Sequence, residues 1–406
     1  MSRPARMSRP ARRLPTAWVF SALSAALASG YGVLFTLVGD YRDEYGISET
    51  NIGMLIGAGF LSAFFAQILI APLADRGYAR VLIVAGVLGN VAGLLLMGFG
   101  TSLEPLMIGR VISGIGIGTS LPAIRRIVIV ADPDNLGTNL GRLLSADVFG
   151  FAMGPAISAV LAGPFGLAAP FLVVSAVTVI FVIPVFTLQI TETRDEAPKR
   201  LALDLLKSRV VAGAVVLGAA VFLMIGAFDA LWDVVHEDLD TQTWLANLGI
   251  TLFAVPLVIL GPTGGRLAQR VGPFRVGAAG IAFGATFMFI YGQLPSGGWI
   301  FTFTMFHAFT DALTFASTGI AISMSVPPER QAGAQGVMGA AQALVAAITA
   351  GTIGAIYEGP GRAAAYATAS IAMVVLALIG VVLAWPFIRG RTERYTAPPV
   401  EPVAAA

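Results

Sequence analysis

Residues 48–101 read SETNIGMLIGAGFLSAFFAQILIAPLADRGYARVLIVAGVLGNVAGLLLMGFGT: two apolar runs, with every charge between them confined to Asp75, Arg76 and Arg80. A bilayer core about 30 Å thick needs roughly 20 apolar helical residues per crossing. Each run is that long, so the stretch predicts a transmembrane hairpin with a charged turn. The same pattern recurs outward in both directions. Apolar stretches at 16–39, 48–70, 81–101, 105–130, 138–163, 168–189, 209–235, 242–262, 275–294, 298–325, 332–357 and 363–388 predict twelve spans in an all-α membrane protein. Composition agrees: the 406 residues are 56% hydrophobic and 12% charged, with mean hydropathy +0.82, against roughly 25% charged in soluble domains.

Orientation follows from where Lys and Arg fall. With a cytoplasmic N-terminus, all but three of the 25 basic residues lie inside; Arg42 and Arg362 fall outside and Arg110 falls within a span. The reading is of a cell (inner) membrane protein with both termini cytoplasmic. Its parts are an N-terminal tail (1–15), a first six-helix bundle (16–190), a cytoplasmic linker (191–208), a second six-helix bundle (209–388) and a C-terminal tail (389–406). The tail opens with MSRPAR twice, read as an alternative start or an engineering scar, and no cleavable signal peptide is evident. Usage of Arg over Lys, with abundant Ala and Gly, suits a GC-rich prokaryote.

An offset of 194 residues relates the halves. Leu73-Ala74-Asp75-Arg76 maps onto Leu267-Ala268-Gln269-Arg270, and Asp43-Glu44 onto Glu237-Asp238. That is the pattern of duplicated transporter halves.

Several functions are excluded. The chain has no cysteine and two histidines, which removes disulfide frameworks, Cys-ligated metal and haem readings; no cofactor is expected. Neither Lys199 nor Lys207 sits in a phosphate-binding G-x-x-x-x-G-K-[ST] loop, so energy comes from a gradient. No H-E-x-x-H or nucleophile arrangement suggests an enzyme, and no basic domain suggests nucleic acid as a partner. The expected partners are a small-molecule substrate, protons and membrane lipid, with the protein monomeric.

Ionisable residues inside apolar spans cost several kcal/mol at the bilayer centre and normally face a cavity or a partner. Here they are Arg110, Asp147, Asp229, Asp233, His307 and Asp311. Asp229 and Asp233 are one helical turn apart, as are His307 and Asp311, so each pair shares a face. A His beside a carboxylate can trade protons near neutral pH, which is what a proton-coupled carrier requires; the alternative is a structural hydrogen bond between helices. Arg110 is expected to modulate a carboxylate across the cavity. Asp147 is either a proton carrier or the partner of Arg126 or Arg142. Phe64, Phe149, Phe228 and Trp232 are candidates for lining an aromatic substrate cavity.

Three motifs resemble the major facilitator superfamily, across residues 16 to 388. Ala71-Pro-Leu-Ala-Asp75-Arg76-Gly77-Tyr78-Ala79-Arg80 resembles that family's loop between helices two and three, with Ala71 for the leading glycine and Tyr78-Ala79 for Gly-Arg. Arg110-Val-Ile-Ser-Gly114-Ile-Gly116-Ile-Gly118 is similar to its arginine-glycine pattern on helix four. Gly150-Phe-Ala-Met-Gly154-Pro155-Ala-Ile-Ser158-Ala159 resembles its antiporter pattern on helix five, with Ser158-Ala159 in place of Gly-Gly. The resemblance implies two six-helix bundles and alternating access. It implies gating roles for Asp75, Arg76 and Arg80, and a bend or seal at the half interface from Gly150, Gly154 and Pro155. The branch it resembles is the drug:proton antiporters, exporting lipophilic or amphiphilic compounds. A metabolite or lysolipid carrier, or a non-translocating sensor of the same fold, are the alternatives.

Overall fold

The computed structural model describes residues 16–188, Ile190 and 201–390. The tail 1–15, most of the expected linker (191–200) and residues 391–406 lie outside the described residues. In the first half the helices are α1 (Thr16–Thr36), α2 (Val38–Tyr45), α3 (Glu49–Leu69), α4 (Ala79–Phe99), α5 (Leu103–Ala131), α6 (Leu136–Phe165) and α7 (Ala168–Val182). In the second they are α8 (Arg209–Asp238), α9 (Thr243–Val271), α10 (Pro273–Tyr291), α11 (Gly297–Thr314), α12 (Ser317–Ser325), α13 (Gln331–Glu358) and α14 (Arg362–Ile388). Among the described residues, eleven helical stretches are long and apolar enough to cross a membrane. All-helical spanning segments are what hydrocarbon permits, because each satisfies its backbone hydrogen bonds internally.

Two expected spans are corrected. The first ends at Thr36, and the polar residues Asp40 to Glu44 form the separate short helix α2. The tenth, 298–325, is two helices that part at Phe315-Ala316. Thr310 donates to the His307 carbonyl (2.8 Å), Thr314 to Thr310 (3.0 Å) and Ser317 to Thr314 (2.5 Å). Such hydroxyl back-bonding competes with the helical ladder and bends it.

The halves meet at the end of the bundle that carries the linker. There the backbones of α6 and α9 touch. A β-carbon placed on Gly137 would lie 2.1 Å from the Gly265 carbonyl oxygen, and one on Gly141 would lie 2.1 Å from that of Gly261. Small residues permit this approach in membranes, where dispersion and hydrogen bonds drive helix association. Ser145 adds a hydrogen bond to the Leu257 carbonyl at 2.9 Å. On the other side of the bundle α3 abuts α13, where a β-carbon on Gly336 would meet the Gln67 carbonyl oxygen at 2.4 Å. The linker residues Ala202–Lys207 form a 3₁₀ turn at the same end, tied to the second half by the Asp204–Arg330 ion pair.

Gly150 and Gly154 are placed differently from the sequence expectation. They pack against α1, where β-carbons would meet the Ala25 carbonyl oxygen at 2.0 Å and the Ser29 carbonyl oxygen at 2.6 Å. The half interface on α6 is built earlier along the helix, by Gly137, Gly141 and Ser145. Pro155, inside α6, lies against Gly32 of α1, so this motif shapes the inside of the first half.

Candidate functional site

Three polar centres sit in the apolar bundle. The first is at the closed linker end. Leu69 ends α3, and Ala71–Arg76 continues as a 3₁₀ turn closed by Gly77 at φ +84°, a left-handed conformation that favours glycine. This turn carries Asp75 inward until it is 3% exposed. One carboxylate oxygen accepts from Arg126 Nε (3.1 Å) and the Ala332 N–H (2.9 Å); the other accepts from the Gly333 N–H (2.8 Å). Ala332 and Gly333 are in the first turn of α13, where orphan N–H groups and the helix dipole favour an anion. Asp75 therefore joins the first half to the second through one buried carboxylate. Arg80 instead donates to the Leu188 carbonyl at 2.5 Å, bracing α4 against the end of α7 inside the first half. Arg76, half-buried, ends the turn.

The second half carries a counterpart at the residue that the 194-residue offset pairs with Asp75, to which the sequence reading gave no role. Gln269, 194 residues beyond Asp75, accepts from the Gly137 N–H in the first turn of α6 (2.7 Å). Its amide nitrogen donates to the carbonyls of Pro133 (3.3 Å) and Asp134 (3.1 Å). The repeat offset was the signal that could have found it.

The second centre holds Asp147, whose expected partners were Arg126 or Arg142. Its partner is Arg125, at 3.4 Å, and Ser24 of α1 donates to its other oxygen. Consecutive helical residues point about 100° apart. Arg125 thus faces α6 while Arg126, fully buried, faces Asp75. Arg142 lies over the ring of Trp18 at 4.5 Å.

The third centre is in the second half. Asp311 is 5% exposed and His307 is fully buried. His307 Nε2 lies 3.5 Å from the Asp311 carboxylate, and its Nδ1 is 3.0 Å from the Tyr291 hydroxyl. The imidazole is stacked on Phe287 at 4.8 Å between centroids. Among the described residues His307 is the one basic side chain within 4 Å of the Asp311 carboxylate. Tyr291 was not foreseen, because it comes from the end of another helix and nothing in its local sequence marks it.

Other expectations are redirected. Among the described residues Arg110 pairs with no carboxylate: it is fully buried with its guanidinium carbon 3.8 Å from the centre of the Tyr31 ring. Gly59 of α3 makes room for it, since a β-carbon there would lie 2.5 Å from Nε. Cation–π stacking thus supplies part of what a counter-ion would. Trp232 is 3% exposed, and its indole N–H donates to the Ala246 carbonyl at 3.2 Å. With Phe228 tilted against it at 4.7 Å, it belongs to the packing of α8 on α9. Phe149 is exposed, Phe64 is half-buried and set edge-on to Phe65, and Asp229 is exposed. The side chain of Asp233 lies outside the described residues.

A multi-pass helical protein, with its halves latched at one end and titratable groups within its spans, has the architecture of a membrane transporter. The chain belongs to the Major Facilitator Superfamily, which it matches over residues 19–243 and 214–404. It is 25% identical over 266 residues to the multidrug resistance protein MdtG of Proteus mirabilis, covering 61% of this chain and 65% of that protein. That span is just under two thirds of the relative's length. It is also 25% identical over 183 residues to the MFS-type transporter SLC18B1 of Rattus norvegicus, covering 42% of this chain and 40% of that one. Among solved structures, the human organic anion transporter MFSD10 superposes with a TM-score of 0.73 at 16% identity, over 92% of this chain and 100% of its own. FucP in the outward conformation gives 0.71 at 16%, over 91% and 99%. These two likenesses establish the fold.

Proposed function

We propose that the chain is a proton-coupled antiporter that exports small lipophilic or amphiphilic compounds by alternating access across the inner membrane. Its halves are 16–190 and 209–388, α11 and α12 together form the tenth crossing and bring the total to twelve, and both termini are cytoplasmic. The observation that carries this reading is the Asp311–His307–Tyr291 constellation: a carboxylate deep in an apolar bundle, paired with a neutral-capable imidazole instead of an arginine. Such a group is costly when charged and dry, so alternation between wet and occluded states alternates its deprotonation with protonation. Asp229, exposed on α8, is a second carrier. The Asp75 contact biases the closed linker end and so sets the interconversion rate. Phe149 and Phe64 offer aromatic faces to a lipophilic substrate, and similarity to multidrug resistance proteins supports that class.

The test is substrate-induced proton release by purified protein, followed by flux in proteoliposomes under an imposed pH gradient. Asp311→Asn, and less strongly Asp229→Asn, should abolish uphill efflux while leaving binding or downhill exchange measurable. Full release and full uphill flux in both variants would overturn the reading.

A further inference from the structure

Two small cavities lie in sequence along α11 and α12. The one farther from the linker end encloses about 10 Å³ open to water centres and is lined by Asp311 and Thr314 among apolar walls that include Met224 and Met373. The nearer one encloses about 40 Å³ and lies between the halves, lined by Arg125 of α5 and by Thr318, Gln335, Met338 and Gln342. Val221 and Phe315 line both. A buried water needs roughly 10–15 Å³ of such volume and two to four polar partners. The nearer chamber meets both needs for more than one water; the farther one is at the threshold for a single water and has one carboxylate.

Phe315 occupies the place where α11 ends and α12 begins, and its ring is stacked near-parallel with Phe222 of α8 at 6.4 Å between centroids. Apolar constrictions of this kind gate by excluding water. The far side of the break is tied to the latch. Gln331 donates to the Ser323 and Val326 carbonyls at 2.8 and 3.2 Å. Gln335 donates to the Gly319 carbonyl at 3.1 Å and the Ser323 hydroxyl at 2.9 Å. Thus α12 is strapped to α13, whose first turn is held by Asp75.

We propose that the nearer chamber is a hydrated proton-release vestibule, that Arg125 is its charged wall with Asp147 paired behind it, and that Phe315 is the apolar plug separating it from Asp311. The inference rests on the proton-coupled reading above. When the Asp75 contact parts, α13 moves with α12 attached, the chain pivots at Phe315-Ala316, and the two chambers join. The Asp311 O–H bond then breaks to a chamber water, and the proton passes to the Asp147 carboxylate or to bulk water entering from the linker end. With the latch shut, the plug prevents that transfer and the gradient does not leak.

The experiment is proton flux into proteoliposomes loaded with a pH-sensitive dye, under an imposed pH gradient and without substrate. Phe315→Ala should raise the leak several-fold over wild type, Phe315→Leu should stay tight, and adding Asp311→Asn to Phe315→Ala should return the leak to the wild-type level. A tight Phe315→Ala protein whose substrate-driven proton movement equals that of wild type would overturn the plug while leaving proton coupling intact. Absence of substrate-driven proton movement in wild type would overturn the coupling reading, and this inference with it. Hydroxyl-radical footprinting of the wild-type protein supplies a measurement that needs no variant. Water in the nearer chamber should oxidise Met338 several-fold faster than Met224 and Met373, and equal protection of all three would overturn the vestibule.

Discussion

Asp75 accepts three hydrogen bonds from two halves of the molecule, and its removal acts on an equilibrium between shapes more than on a ligand. Removing one partner of a buried charge pair typically costs about 3–5 kcal/mol, because the other charge is left uncompensated. Asp75→Ala takes the buried carboxylate away from Arg126 and from the α13 N–H groups, so it should destabilise the closed linker end by up to about that much. Asp75→Asn keeps an acceptor for the α13 N–H groups and should fall short of it. The expected outcome for Asp75→Asn is slowed transport with nearly unchanged equilibrium substrate affinity, measured by initial-rate flux beside a binding titration; large loss of affinity with normal turnover would place Asp75 in the substrate site. How much was legible at this scale differs residue by residue. The turn around Asp75 announces itself, because charges between two apolar runs must lie at a membrane surface. The division of labour between Arg125 and Arg126 does not, since it depends on which neighbour each faces around the helix. Arg110 shows the same limit: a buried cation predicts a partner, but the partner is the aromatic ring of Tyr31, a type that charge counting overlooks.

At the level of elements, closure of the linker end rests on two helix pairs that contribute unequally charged latches. Asp75 caps α13 with a carboxylate, and Gln269 caps α6 with an amide. A neutral hydrogen bond of this kind is worth about 0.5–1.5 kcal/mol net, so Gln269→Ala should weaken closure less than Asp75→Ala. Because both act on one rigid-body equilibrium through separate contacts, their effects on it should be close to additive. The glycine seam between α6 and α9 sets the distance of closest approach. Gly141→Leu inserts a side chain where even a β-carbon would lie 2.1 Å from a carbonyl oxygen, and should hold that end apart. A cysteine pair introduced at Ser145 and Leu257, which meet in the closed form, should cross-link in the otherwise unaltered chain and fail to do so with Gly141→Leu. Helix positions were legible from hydropathy alone. The break at Phe315 was not, since the sequence from Trp299 to Met324 is uninterrupted by Gly-Pro or charge clusters strong enough to mark it. It arises from hydroxyls back-bonding to the helix and from α12 being strapped to its neighbour, a tertiary effect without a local signature.

For the whole molecule, the distribution of basic residues and the closure contacts point to the same end. The turn at Asp75, the Asp204–Arg330 pair, the Gln269 cap and the Arg275 contact to the Ile388 carbonyl (3.2 Å) all lie there. That is also the end where the sequence concentrates Lys and Arg, and translocation disfavours carrying such loops across the membrane. Opposite it, Arg42 and Arg362 are the Lys or Arg side chains among the described residues. The linker end is therefore expected to face the cytoplasm, with the 191–208 segment reachable only from inside. The absence of native cysteine makes the measurement direct, because a single introduced thiol is the only one to react. Ser208→Cys sits where the linker enters α8 and should be labelled by an impermeant thiol reagent in inside-out vesicles but not in intact cells. A cysteine at Gly359, in the turn between α13 and α14, should show the opposite pattern. Labelling of Ser208→Cys from outside intact cells would invert the orientation, and with it the direction in which a proton released toward the linker end would travel.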